Sequence, residues 1–199
     1  MLEKIVIASN NPGKLREIRA ILAPLGIEVV AQGELGVTEA EEPHATFLEN
    51  ALEKARHASR ATGLPALADD SGICVDALGG EPGVHSARFA GEPKSDERNN
   101  QRLVGLLARE ANRRAHYYCV IVLVRHPDDP RPVVCDAEWH GEVILEPRGS
   151  GGFGYDPYFL LPGGRTAAEL PAADKNRVSH RAQALAKLAA RLRDVRTGD

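Results

Sequence analysis

The sequence predicts an α/β protein with a mixed sheet, and three observations carry that expectation. Lys4-Ile5-Val6-Ile7-Ala8 is a short apolar run rich in β-branched residues, followed by Asn, Pro and Gly and then by the helical spacing Leu15, Ile18, Leu22. His116 to Arg125 and Val133 to Ile144 read as two long strands joined by the turn His126-Pro127-Asp128-Asp129-Pro130, which makes a hairpin. A final helix carries Leu185, Leu188 and Leu192 on one face. Strand–loop–helix units favour parallel neighbours and a hairpin demands antiparallel ones, so the sheet must mix the two.

Each element has its own local reason. Ile27 to Val30 continues the first unit as a strand, and Gln32 to Pro43 is an acidic, irregular connection that contains Glu41 and Glu42. Thr46-Phe47-Leu48-Glu49 has the capping-box pattern, in which the Thr46 hydroxyl meets an orphan amide and Glu49 reaches back. The helix it starts runs from about Phe47 towards Gly63, a residue suited to a C-cap. Leu64 to Ala68 is then a short strand. Gly and Pro are dense from Gly79 to Pro93, which marks an excursion before a helix that includes Leu103, Leu106 and Leu107. Gly149 to Tyr158 is a glycine-rich loop. Repeats, low-complexity tracts and linkers are absent, so residues 1–199 read as one domain, with room for two small lobes.

Bulk composition narrows the function. A hydrophobic content of 43% supports a packed interior, and no apolar run approaches the roughly 20 residues that span a bilayer. The start Met1-Leu2-Glu3-Lys4 passes straight into the first strand without a signal-peptide layout, so a cytoplasmic location is expected. Cys74, Cys119 and Cys135 are odd in number and widely spaced, as reduced core thiols are. The seven histidines show no metal-ligand spacing, so any metal should be held by oxygen. A net charge of −3 argues against a general grip on nucleic-acid polymers. Positive charge gathers instead at Lys14 to Arg19 and Lys175 to Arg181, beside loops, which suits a small phosphorylated ligand.

Four segments carry candidate chemistry. Ala68-Asp69-Asp70-Ser71-Gly72 places two acids and a hydroxyl at a strand end, where an ionised pair without partners costs several kcal/mol in an apolar setting. A cation belongs there, although the same string alone reads equally as an Asx turn. Ser9-Asn10-Asn11-Pro12-Gly13-Lys14 opens the first helix, where free amides and the positive helix end favour an anion and Lys14 adds a point charge. It is not a Walker A loop, because Leu15 stands where Ser or Thr should be; a turn capped by Asn is the structural alternative. Gly151-Gly152-Phe153-Gly154-Tyr155-Asp156-Pro157 combines two aromatics and an acid with residues that allow close backbone approach, and so can stack a planar base or else cap the core. Ser179-His180-Arg181, with Lys175 before it, offers donors to a purine that presents a 6-keto oxygen and N7, or forms a solvated basic helix face.

Taken in order, these segments resemble the Ham1 and RdgB family of inosine/xanthosine triphosphate pyrophosphatases. Thr46-Phe47-Leu48-Glu49-Asn50-Ala51 and Gly83-Val84-His85-Ser86-Ala87-Arg88-Phe89-Ala90-Gly91 fit as well, and the match covers essentially the whole chain. Ser9-Asn10-Asn11 departs mildly from the more usual Thr-Gly-Asn. The resemblance implies a long mixed sheet flanked by helices, two lobes with the substrate between them, and a homodimer. It implies hydrolysis of XTP, ITP and dITP to the monophosphate and pyrophosphate with Mg²⁺; Mn²⁺ suits the same oxygen ligands. By motif, Ser9 to Lys14 would hold phosphates, Asp70 would act at the reaction centre and Ser71 would contact substrate. Phe153, Gly154, Tyr155, Asp156, Lys175, His180 and Arg181 would hold the base and neighbouring groups, and Glu41 with Asp70 would hold the metal, Glu42 being the adjacent alternative. The rival readings are a Maf-like pyrophosphatase for other nucleotides and a nucleotide-binding module without turnover, which would not need Asp70 and the acidic loop.

Overall fold

In the computed structural model, which describes residues 2–197, the sheet is six-stranded and mixed, in the order β2-β1-β3-β4-β5-β6. Strand β1 (Lys4–Ile7) pairs in parallel with β2 (Glu28–Ala31), Lys4 opposite Glu28, and with β3 (Ala66–Val75), Val6 opposite Ala66. The expected hairpin is β4 (Arg114–Val124) and β5 (Val133–Val143), neighbours in the sheet. Its turn is closed by Asp129, whose carboxylate accepts from the Arg125 and Arg131 amides at 3.0 and 2.9 Å. A short β6 (Phe159–Leu160) pairs antiparallel to β5.

Helix α1 (Pro12–Leu22) places a proline at its first position, where no intrahelical donor is needed. Helix α2 (Phe47–Thr62) starts and stops as its sequence directs: the Thr46 hydroxyl accepts from the Glu49 amide, and Gly63 ends it at φ 71°. Helix α3 (Asp96–Leu107) is capped by Ser95. A short α4 (Ala172–Val178), not expected from the sequence, precedes α5 (His180–Thr197).

The chain divides into two compact units. The first comprises the chain through Asp70, Cys119–Ala137 and the chain from Arg181; the second comprises Ser71–Tyr118 and Glu138–His180. Each has its own apolar core. Ile5, Ile7, Ile18, Leu22, Leu67, Ile121 and Leu185 pack in the first, and Ile73, Leu103, Leu107, Tyr117, Trp139 and Phe159 in the second. The expected strand end at the acid pair is corrected: β3 runs on for five residues beyond Asp70. A strand can carry buried acids through its middle when each finds a cation, as both do here.

Candidate active site

Successive side chains of a strand point to opposite faces, so Asp69 and Asp70 meet different neighbours. Asp69 is fully buried. Its carboxylate pairs with Lys14, accepts from Arg181 Nε at 3.0 Å, and accepts from the Cys119 thiol at 3.0 Å. Burial opposes its charge, but Arg181 and Lys14 outweigh burial and hold the carboxyl well below the usual carboxylate range. Among the described residues Asp70, 6% exposed, meets one cation, Lys54, whose Nζ lies 2.9 Å from its Oδ1. There burial wins over Lys54 and Lys14, and the pKa is raised.

The N-terminal loop is a capped turn. Asn11 Oδ1 accepts from the Gly13 and Lys14 amides at 2.9 and 3.1 Å, and Ser9 Oγ accepts from the Asn11 amide at 3.2 Å. The amides expected to face an anion are thus occupied by the cap, and Lys14 reaches Asp69. Asn10 lies against Gly33, where a Cβ would come within 2.7 Å of its Oδ1. Of the two acids weighed in the connection, Glu41 is exposed and Glu42 half-buried, and Glu42 accepts from Lys54 Nζ at 2.6 Å. Of the two, Glu42 is the acid that shares the Lys54 ammonium with Asp70.

One face of α2 explains that placement. Asn50 clamps the backbone of His44, accepting from its amide at 3.0 Å and donating to its carbonyl at 3.2 Å. One turn on, Lys54 bonds Glu42 and Asp70 together; one turn further, a His57 ring nitrogen lies 3.0 Å from the Thr38 carbonyl. Residues 50, 54 and 57 share a helix face, so a single polar stripe fastens the acidic segment.

In the second unit Asp156 is the centre. Its Oδ2 accepts from the Phe153 amide at 2.9 Å and from Lys175 Nζ at 2.6 Å, and its Oδ1 accepts from the Tyr117 hydroxyl at 3.3 Å. Gly152 at φ 75° is required, since a Cβ there would lie 1.9 Å from Asp156 Oδ2. The Lys175 ammonium stands 4.8 Å above the Phe153 ring, and His180 stacks on Tyr117 with centroids 4.7 Å apart. Gly154 is held from both sides, its amide donating to Asp96 and its carbonyl accepting from Asn100 at 2.9 Å.

Two residues expected with this group have other partners in the structure. Tyr155 is a core residue whose hydroxyl donates to the Ser86 carbonyl at 2.7 Å, which leaves Phe153 as the loop's half-exposed ring. Arg181 belongs to the first unit, where it is fully buried against Asp69 and Glu17; burying an unpaired guanidinium is costly, and these two carboxylates are what hold it there. Ser71 follows Asp70 as the first residue of the second unit.

A sequence model of the Ham1 family matches residues 5–191. The chain belongs to the Ham1 family. Among Ham1 relatives, a protein of Ralstonia nicotianae named dITP/XTP pyrophosphatase is 68% identical over 196 residues, covering 96% of this chain and 98% of that protein. One of Nitrosomonas europaea with the same name is 67% identical over 197 residues, covering 98% of this chain and 97% of its own length. The solved structure of a Ham1 protein from Coxiella burnetii superposes with a TM-score of 0.90 at 47% identity, covering 98% of this chain and all of that one.

Whether a divalent cation fits this Ham1 chain is decided at Asp70. Its Oδ2 is buried and has no hydrogen-bond partner, so one hard oxygen with free lone pairs stands next to a second carboxylate, Glu42. Among the described residues no three His, Cys, Asp or Glu cluster as a closed protein cage. That suits a cation of the magnesium type, which takes one or two carboxylates and fills its shell with water and phosphate oxygens. Several residues of the site escaped the sequence reading, Lys54, Asn50 and Cys119 among them. Lys54 and Asn50 lie in a helix that the sequence justified by its caps alone; the one available signal was the polar recurrence Asn50, Lys54, His57. Cys119 sits in an apolar strand run and carried no spacing signal.

Proposed function

We propose that this protein hydrolyses the α–β phosphoanhydride of non-canonical purine nucleoside triphosphates, dITP, XTP and ITP, releasing the monophosphate and pyrophosphate. The observation that carries the reading is Asp70: a buried carboxylate with raised pKa and one uncommitted oxygen, in a chain about two-thirds identical to proteins named dITP/XTP pyrophosphatase. Nucleotide-pool sanitation follows from that activity, since it removes deaminated purines before a polymerase can use them.

In this reading Asp70 and Glu42 hold Mg²⁺, for which Mn²⁺ can substitute. When bound, the cation supplies Lewis acidity toward the phosphate oxygens. Asp70 orients the water that attacks the α-phosphorus and accepts its proton. Ser9 to Lys14 bind the phosphates through the loop's side chains, the Gly13 and Lys14 amides staying on the Asn11 cap and Lys14 adding positive charge from its place beside Asp69, and Ser71 contacts the substrate. The base lies by Phe153, Gly154, Lys175 and His180, whose donors match a 6-keto purine and oppose the 6-amino group of adenine. Asp156 and Tyr155 shape that loop from behind, and Arg181 fixes Asp69. In the same reading the protein acts as a homodimer in the cytoplasm, where the nucleotide pool it cleans is kept.

Pyrophosphate release from ITP, XTP, dITP, ATP and GTP, each with Mg²⁺ and with chelator, tests the proposal. Magnesium-dependent release from the first three, little from the last two, and loss of release in Asp70→Asn are expected. Near-full turnover in Asp70→Asn would remove the assigned role; binding of ITP without release would make the chain a binding module.

A further inference from the structure

We propose that the Lys54 ammonium is a resident counter-cation, standing between Glu42 and Asp70 where the divalent cation is to be held and leaving when that cation arrives. The inference rests on the metal placement just given and adds a displaceable occupant to it. Lys54 Nζ lies 2.6 Å from Glu42 Oε1 and 2.9 Å from Asp70 Oδ1, and the three side chains are only 11, 25 and 8% exposed. Two carboxylates so far removed from water repel unless a cation lies between them, and in this structure the lysine is that cation.

Two further features make the lysine displaceable rather than fixed. One ammonium against two carboxylates leaves the site net negative, and Asp70 Oδ2 is without a partner among the described residues, so the site is neither neutralised nor fully satisfied. The acidic segment is also anchored independently of Lys54, by Asn50 to the His44 backbone and by His57 to the Thr38 carbonyl. Removing the ammonium therefore leaves Glu42 and Asp70 in place, while the lysine's flexible four-carbon stem lets its charge move. The consequence is a lowered affinity for free divalent cations: an occupant present in nine molecules of ten weakens binding about tenfold.

The probe is Mn²⁺ alone, without nucleotide, followed by the electron paramagnetic resonance signal of the free ion. Lys54→Met is expected to bind Mn²⁺ about tenfold more tightly than the unaltered protein and to gain more thermal stability on its addition. Equal affinities, with binding lost in Asp70→Asn, would overturn the role of Lys54 while leaving the metal placement standing. Unchanged Mn²⁺ binding in Asp70→Asn would overturn the placement itself. The unaltered protein gives a reading that needs no folded variant: reductive methylation of Lys54, mapped by mass spectrometry, should speed up severalfold with saturating Mg²⁺. A rate unchanged by Mg²⁺ would overturn the proposal.

Discussion

Burial pushes both Asp69 and Asp70 toward the neutral form, and what separates them is the number of cations within reach. Asp69 has Lys14 and Arg181 in contact and a thiol donor besides, and its carboxyl stays ionised far below neutrality. Asp70 meets Lys54 alone among the described residues, and burial raises its pKa. Removing the charge of Asp69 takes the shared carboxylate from half-buried Lys14 and buried Arg181, so Asp69→Asn should lose about 3–5 kcal/mol in urea unfolding at neutral pH. A carboxylate whose folded pKa is depressed contributes stability above its unfolded value, about 3.9, and loses it as pH falls further. The gap between the unaltered protein and Asp69→Asn should therefore narrow as unfolding is measured below about pH 4. A gap constant from pH 7 to pH 3 would contradict the assignment. The same pair shows what the sequence conveyed at this scale. Adjacent acids in an apolar run announced that cations were needed, but which lysine served which acid depends on partners 15 or more positions away, beyond any local pattern.

Helix α2 joins two kinds of information. Its ends were legible because caps are local: Thr46 and Glu49 lie within one turn, and Gly63 adopts the left-handed conformation that ends helices. The β4–β5 hairpin was legible for the same reason, a proline- and aspartate-rich turn between apolar runs. The extent of β3 was not, because acids in a strand interior violate the local preference and are tolerated only through tertiary ion pairs. Nor was α4, a seven-residue helix with no side-chain cap at its start. The polar face of α2 yields a prediction of its own. Asn50→Ala removes the clamp on His44 and frees the segment bearing Glu42, so the Mg²⁺ concentration for half-maximal turnover should rise severalfold while the turnover number at saturating Mg²⁺ changes little. An equal loss in both would mean that Asn50 only supports the helix.

For the molecule as a whole, charge sets the range of partners. With 25 basic against 28 acidic residues, the protein carries no excess that would draw it to a polyanion, and its interior lysines and arginines are matched to acids. Excess duplex DNA added to the pyrophosphate assay should leave ITP turnover unchanged at low salt, where a phosphate-backbone grip would be strongest. Inhibition that vanishes as salt is raised would reveal a basic surface that the composition hides. A different kind of constraint comes from the middle of β3, where neighbouring acids face opposite ways. The strand tells them apart by parity alone. One residue gained or lost just ahead of the pair would hand Lys14 and Arg181 the wrong carboxylate and give Lys54 the other, with no change in composition. Length changes there are tolerable only in twos, so the spacing between Ala66 and Asp69 is as much a part of the chemistry as the acids themselves.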